Sequence, residues 1–376
     1  GAARVFYEPD RFTRRGAMPK PTLKLLQDEG SVQMLDGEAH RWRKRMLMSL
    51  MTPAAIRRLG DTFEAGWRAR MACWERMDEV ILFEEVRGIL CRAVCDWAGV
   101  PLTEQQAEAR TREFGAMIDG AGAIGPRNWR GMLLRTRTER WARYLIARIR
   151  RGEAEVPEGS AADIIARHRE ANGDLLDVKI AAVELLNVLR PTVAVDRFMT
   201  FAALALHEHP RCRPDLDTSE GIERFVQEVR RYYPFFPFVG GRVLDDFEWS
   251  GFHFRRGMWV LLDLYGTNRD GRVWEVPEEF RPERFRHWTG SAFDFIPQGG
   301  GGHDTGHRCA GEWVTIELMK RAVGLLTTAM RYDVPDQDLQ INLTRIPAIP
   351  NSRFVIRNVR ASSSAPTRRV VGAVDR

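Results

Sequence analysis

The segment 177–209 constrains the fold more than any other. Apolar side chains run through most of it. A stretch this long and this apolar reads as a helix buried on nearly every side, ended by Pro210. Its middle breaks the pattern, because Arg190 is followed at once by Pro191. Proline inside a helix costs about 3 kcal/mol, and a buried arginine without a partner costs several more. Pro191 also lacks the N–H that would bond the Asn187 carbonyl, so a kink and a groove are expected there.

Helical periodicity continues elsewhere, at 40–50, 53–77, 84–98, 104–118, 128–151, 219–233 and 312–330. Strand character is concentrated between 238 and 264, where "FEWSGFHF" alternates around Ser250 and Gly251 as a hairpin would. The stretch 268–297 is a long connection rich in Pro, Arg and aromatics, and an unbroken glycine run follows at 299–302. The fold class expected is mainly α with a smaller β part (α+β). One domain is expected over 1–360, with a mobile tail at 361–376. Charged residues make up 29% of the 376 residues and the net charge is +6. The arginine-rich stretches 41–45 and 135–151 are read as solvated helix faces, and no nucleic-acid partner is expected. Five irregularly spaced cysteines exclude a secreted disulfide framework. No run is apolar and long enough for a transmembrane helix, and a cytoplasmic location is expected.

Chemistry concentrates in "IPQGGGGHDTGHRCAGEW", 296–313. Cys309 follows the glycines and directly precedes a helix. A helix N-terminus stabilises a thiolate, and glycines let backbone wrap close to a bulky ligand. A metal-bound thiolate and a plain buried cysteine both fit this loop. Zinc on His303, His307 and Cys309 fits less well, for want of a fourth ligand at suitable spacing. Upstream, Glu228 and Arg231 share one helix face, and "FRPERF" places Arg284 further along.

Taken together, Glu228-x-x-Arg231, Pro282-Glu283-Arg284-Phe285, "NRD" at 268–270 and His307-x-Cys309-x-Gly311 resemble the cytochrome P-450 superfamily in order and spacing. The resemblance implies haem b between the long central helix and the cysteine loop. Cys309 would be the axial thiolate ligand of the haem iron, a ligand that favours O–O cleavage. Glu228, Arg231 and Arg284 would form a structural ion-pair triad, while His40, Lys44 and His307 would meet the haem propionates. Two positions depart from the general pattern. Gly302 replaces a usual phenylalanine in an expanded loop. Arg190-Pro191 replaces the usual acid–threonine pair, leaving Thr192 without an acidic neighbour.

Both departures resemble the bacterial fatty-acid peroxygenase branch, and the likeness runs from "VFYEPDRF" through "NVLRPTVA", "FVQEVRRYYPFFPF" and "PQGGGGH" to "YDVPDQDL". Members usually begin several dozen residues earlier, so early sheet strands and part of an entrance would be missing. The branch implies that Arg190 holds the carboxylate of a long-chain fatty acid. The carboxylate would act as general acid and base toward hydrogen peroxide, with no dedicated reductase. Oxidation would fall near the acid group. Phe236, with Phe235 beside it, is bulky where some relatives have glycine, which implies mainly 2-hydroxylation; at least one of Phe235, Phe236 and Phe238 is expected to be plain core. Gln33 stands where relatives with histidine tend to form terminal alkenes. An amide cannot exchange a proton as imidazole does, so hydroxylation is favoured. The alternatives are a reductase-dependent monooxygenase, an alkene-forming decarboxylase, and a haem- or zinc-holding protein without turnover.

Overall fold

The structure is a computed structural model describing residues 1–362. Helices account for most of it, wrapped around a core drawn from the helices Leu82–Trp97, Val178–Val193, Asp196–Glu208, Ser219–Tyr232 and Glu312–Gly324. Several helices begin where their sequence supplies a cap. Asp177 Oδ1 accepts from the backbone N–H groups of Lys179 and Ile180 at 2.8 and 3.2 Å. Thr103 and Gln106 form a reciprocal capping box ahead of Glu104–Gly120. Helix Ser219–Tyr232 stops because Pro234 follows, and Tyr233 takes the extended conformation that a residue before proline prefers.

The sheet is smaller and lies in three pieces. Phe238–Val243 is the middle strand of the first, between Phe12–Thr13 and Trp259–Asp263, all antiparallel. Val355–Ala361 is the middle strand of the second, between Val80–Ile81 and Met330–Asp333. The third is the expected hairpin, with Trp249 opposite Phe252 and positive φ at both Ser250 and Gly251.

Three expectations need correction. The apolar segment is two helices, Val178–Val193 and Asp196–Glu208, and the interruption is at Ala194 and Val195 rather than at Pro191. Helix geometry persists through the proline, and the ladder then tightens where the Val195 N–H bonds the Thr192 carbonyl instead of the Pro191 carbonyl. The arginine-rich helices are not simply solvated faces, since Arg43 and Arg135 are buried. Arg43 reaches inward to Glu184 on another helix, and charge density along a sequence does not reveal such a partner. Val355–Ala361 also carries strand pairing one residue into the expected tail, because Ala361 pairs with Met330; residues 363–376 lie outside the described residues. Among the described residues, no helix is long and apolar enough to cross a membrane.

Candidate haem site

Behind the cysteine loop, Glu228 is fully buried and binds Arg231 through both oxygens, at 2.7 and 2.8 Å. Arg284 adds a third contact at 3.2 Å, and the Arg281 N–H donates to the same carboxylate at 2.7 Å. Arg231 then donates to the carbonyls of Asn268, Pro277 and Glu279. The expected triad is therefore assembled, and it ties helix Ser219–Tyr232 to the long connection. Asn268 carries the tie onward, since its Oδ1 accepts from the Ile296 N–H at 2.9 Å, at the mouth of the glycine run.

The glycines are needed there. Gly299 and Gly301 have φ of 91° and 80°. A Cβ at Gly300 would lie 2.8 Å from Ile296 and 2.9 Å from the Ala292 carbonyl. Beyond them the Cys309 N–H donates to the Gln298 carbonyl at 3.1 Å, and the Gln298 side chain lies 3.6 Å from the sulfur. Burial pushes the Cys309 thiol up, and Glu312 adds to this, against the Gly311 N–H, Lys44 and Arg230, which pull it down. The helix start alone therefore does not hold this sulfur as thiolate; a bound metal cation would. Glu312 is itself occupied, paired with Arg308 at 2.6 Å and with Arg230.

Around this loop the structure gathers the other expected residues. The rings of His40 and His307 lie 4.0 Å apart. Burial is the main cause that lowers both imidazoles, His40 to about 4 and His307 to about 2, so both are neutral near pH 7. Lys44 is buried and donates to the Arg308 carbonyl, with no acid within ion-pair distance among the described residues. Arg14, which sequence reasoning passed over, joins them as one of the charges acting on His307. It donates to the Gly240 carbonyl at 2.6 Å. Two cations without carboxylate partners beside two neutral imidazole donors suit a ligand that brings its own carboxylates. The two propionates of haem b would meet that demand. The zinc alternative finds no support, because the His307 ring lies tilted against that of His40 while His303 faces Trp313.

Arg190 is 4% exposed, and no carboxylate lies within ion-pair distance of it among the described residues. One guanidinium nitrogen donates to the Leu26 carbonyl, and its Nε has no partner. Burial and then the nearby charge of Arg135 lower its pKa to about 9, which leaves it cationic at pH 7. Thr192 turns its hydroxyl back to the Val188 carbonyl at 2.9 Å. Gln33 sits on the short 3-10 turn Val32–Met34, and its Oε1 accepts from Asn187 at 3.3 Å. Phe235 packs on Phe198 at 4.7 Å and Phe236 packs edge-on against Phe235 at 5.0 Å, whereas Phe238 is exposed and so not core. Glu184 and Asn187 went unnoticed in the sequence. Their signal was a polar residue at every third position, 184, 187 and 190, in an otherwise apolar helix.

A cytochrome P450 family model matches residues 212–346. Rhazimal synthase of Alstonia scholaris is 28% identical over 37% of this chain and 33% of that protein, and the chain matches a third or less of the length of the first curated relatives. Solved structures match far more fully. Cytochrome P450SP alpha (CYP152B1) in complex with (R)-ibuprophen is 51% identical, covering 96% of this chain and 88% of that one, with a TM-score of 0.93. Ligand-free cytochrome P450 OleT is 36% identical, covering 97% and 88%, also with a TM-score of 0.93. An OleT variant has also been solved in complex with arachidonic acid. With the buried triad, the glycine-wrapped cysteine and the unpaired cations in place, the chain belongs to the cytochrome P450 family, whose cofactor is haem b on a cysteine thiolate.

Proposed function

We propose that this protein is a hydrogen-peroxide-dependent hydroxylase of long-chain fatty acids, acting mainly at the carbon next to the carboxylate. The observation that carries this reading is Arg190, a buried cation with an unpartnered Nε and no acid within ion-pair distance among the described residues. Such a group is costly unless a ligand supplies the anion. The two similar proteins named above have been solved with acids, ibuprofen in one and arachidonic acid in the other, which supports a carboxylate as that anion.

Haem b, held by Cys309 with His40, Lys44, His307 and Arg14 toward its propionates, would supply the oxidising chemistry. The chain's own residues do the rest. Arg190 binds the substrate carboxylate through its fork and holds it as an anion. Thr192 cannot carry protons in a conventional relay, because its hydroxyl is committed to the Val188 carbonyl and no acid adjoins it. The bound carboxylate takes that role, accepting a proton from peroxide and returning it to the departing oxygen. The overall change balances as R–H plus hydrogen peroxide giving R–OH plus water, so no reductase is required. Anchoring the acid end confines oxidation to the first carbons. Phe236, braced by Phe235 against Phe198, limits how the chain bends, and the Gln33 amide, which does not exchange a proton as imidazole does, favours hydroxylation over alkene formation.

The test is turnover of myristic acid with hydrogen peroxide and no reductase, with products resolved by position. Mainly 2-hydroxymyristic acid is expected. Absence of any hydroxy acid, or activity only with a reductase, would overturn the reading.

A further inference from the structure

Helix Val178–Val193 carries a second buried charge six residues before Arg190. Glu184 is fully buried, and three donors converge on its carboxylate. Its Oε1 accepts from the Val32 N–H at 2.7 Å and from Arg43 at 3.0 Å; its Oε2 accepts from Asn187 Nδ2 at 3.4 Å. Arg43 reaches on to Glu170 at the surface. Burial raises the pKa of Glu184 against the pull of Arg43, the Val32 N–H and Asn187, but a surrounding of donors with no acceptor suits the ionised carboxylate.

The consequence concerns amide polarity. A carboxylate offers only acceptors, so Asn187 must turn its NH2 toward Glu184. That NH2 also meets Gln33, at 3.3 Å, and Gln33 must answer with its Oε1. The NH2 of Gln33 is then left over, and it has no protein partner among the described residues. Asn187 Oδ1 is buried with no partner, so the orientation is held at the expense of an unmet acceptor. Asn187 and Arg190 are three residues apart and share a helix face. Gln33, bonded to Asn187, therefore meets this helix on the face that carries Arg190.

We propose that Glu184 is a positioning residue that, through Asn187, fixes Gln33 with its NH2 free to donate to the carboxylate held by Arg190. Gln33 becomes a second contact to the substrate anion, and its polarity is set from the opposite end of a three-residue chain. This inference rests on the carboxylate-clamp reading of Arg190. The test is calorimetric binding of myristic acid and of 1-tetradecanol to the holoenzyme. Glu184→Gln offers Asn187 a donor, letting both amides turn over and point an acceptor at the anion. Affinity for myristic acid should fall roughly tenfold, the equivalent of one hydrogen bond to a charged group, with 1-tetradecanol unaffected. Asn187→Ala leaves the Glu184–Arg43–Glu170 contacts intact and should lower myristic acid affinity several-fold, and the double variant should lose no more than Glu184→Gln alone. Unchanged myristic acid affinity in Asn187→Ala, equal losses for the acid and the alcohol, or additive losses in the double variant would overturn the inference. Should Glu184→Gln fail to fold, Asn187→Ala decides alone. Arg190→Ala separates the two readings: if it binds myristic acid as tightly as the parent, the clamp fails; if it loses binding while Asn187→Ala does not, only the role of Glu184 fails.

Discussion

Two buried arginines in this protein live opposite lives. Arg231 is wholly enclosed and meets both oxygens of Glu228 and three backbone carbonyls. Arg190 is almost as enclosed and meets one carbonyl, with its Nε idle and no acid in reach among the described residues. Folding alone accounts for the first, since a charge taken from water is tolerated when every donor finds an acceptor. It does not account for the second. Arg231 is satisfied within the fold, while Arg190, without an acid among the described residues, keeps its charge available to a ligand.

The contrast can be broken in several ways. The largest effect on stability should come from Glu228→Ala, which strands Arg231 and Arg284 and should cost about 3–5 kcal/mol in denaturant unfolding. A shift under roughly 1 kcal/mol would mean that the triad is not what holds the connection to helix Ser219–Tyr232. Arg190→Leu should do the reverse. Removing an unpaired buried charge should stabilise the fold by about 1–3 kcal/mol, while turnover of fatty acids is lost. Loss of stability on that change would put Arg190 in the same class as Arg231. Arg284→Lys sits between the two. It keeps the charge but loses the fork that reaches the carbonyls of Glu275 and Glu279 at 2.8 and 3.1 Å, and about 1 kcal/mol of stability should go with it.

A further test is a pH dependence. Asp119 joins Arg87 and Arg197 across three helices. Burial works to raise its pKa, but Arg197 and Arg87 prevail and bring it down to about 2. A depressed carboxylate contributes stability that is fully present above its unfolded value, near 3.9, and is lost as pH falls toward the folded value. Unfolding midpoints should therefore drop between about pH 4 and pH 2, and Asp119→Asn should flatten that slope.

Some of this could be read without coordinates. The triad was legible only through the family resemblance, because a glutamate and an arginine three apart on a helix are common by themselves. Arg190 announced itself by being wrong for its surroundings. The network of Glu184, Asn187 and Gln33 was not legible, because it joins residues more than 150 positions apart. Arg14 was missed for the same reason, its partner Gly240 lying 226 positions away. The break at Ala194 and Val195 was displaced from expectation because a proline's missing donor need not disturb the turn in which it sits.

By itself the sequence determined the helices, the hairpin, the cysteine loop and the oddity at Arg190, because periodicity, capping residues and turn residues act over a few positions. Tertiary structure alone decided which charges are paired. Whether Arg43 or Arg190 finds an acid depends on which helix faces pack together, and a guanidinium several ångströms long carries no mark in the sequence of what it will meet. The same packing turns Glu184 toward Asn187 and leaves the amide of Gln33 with its donor free.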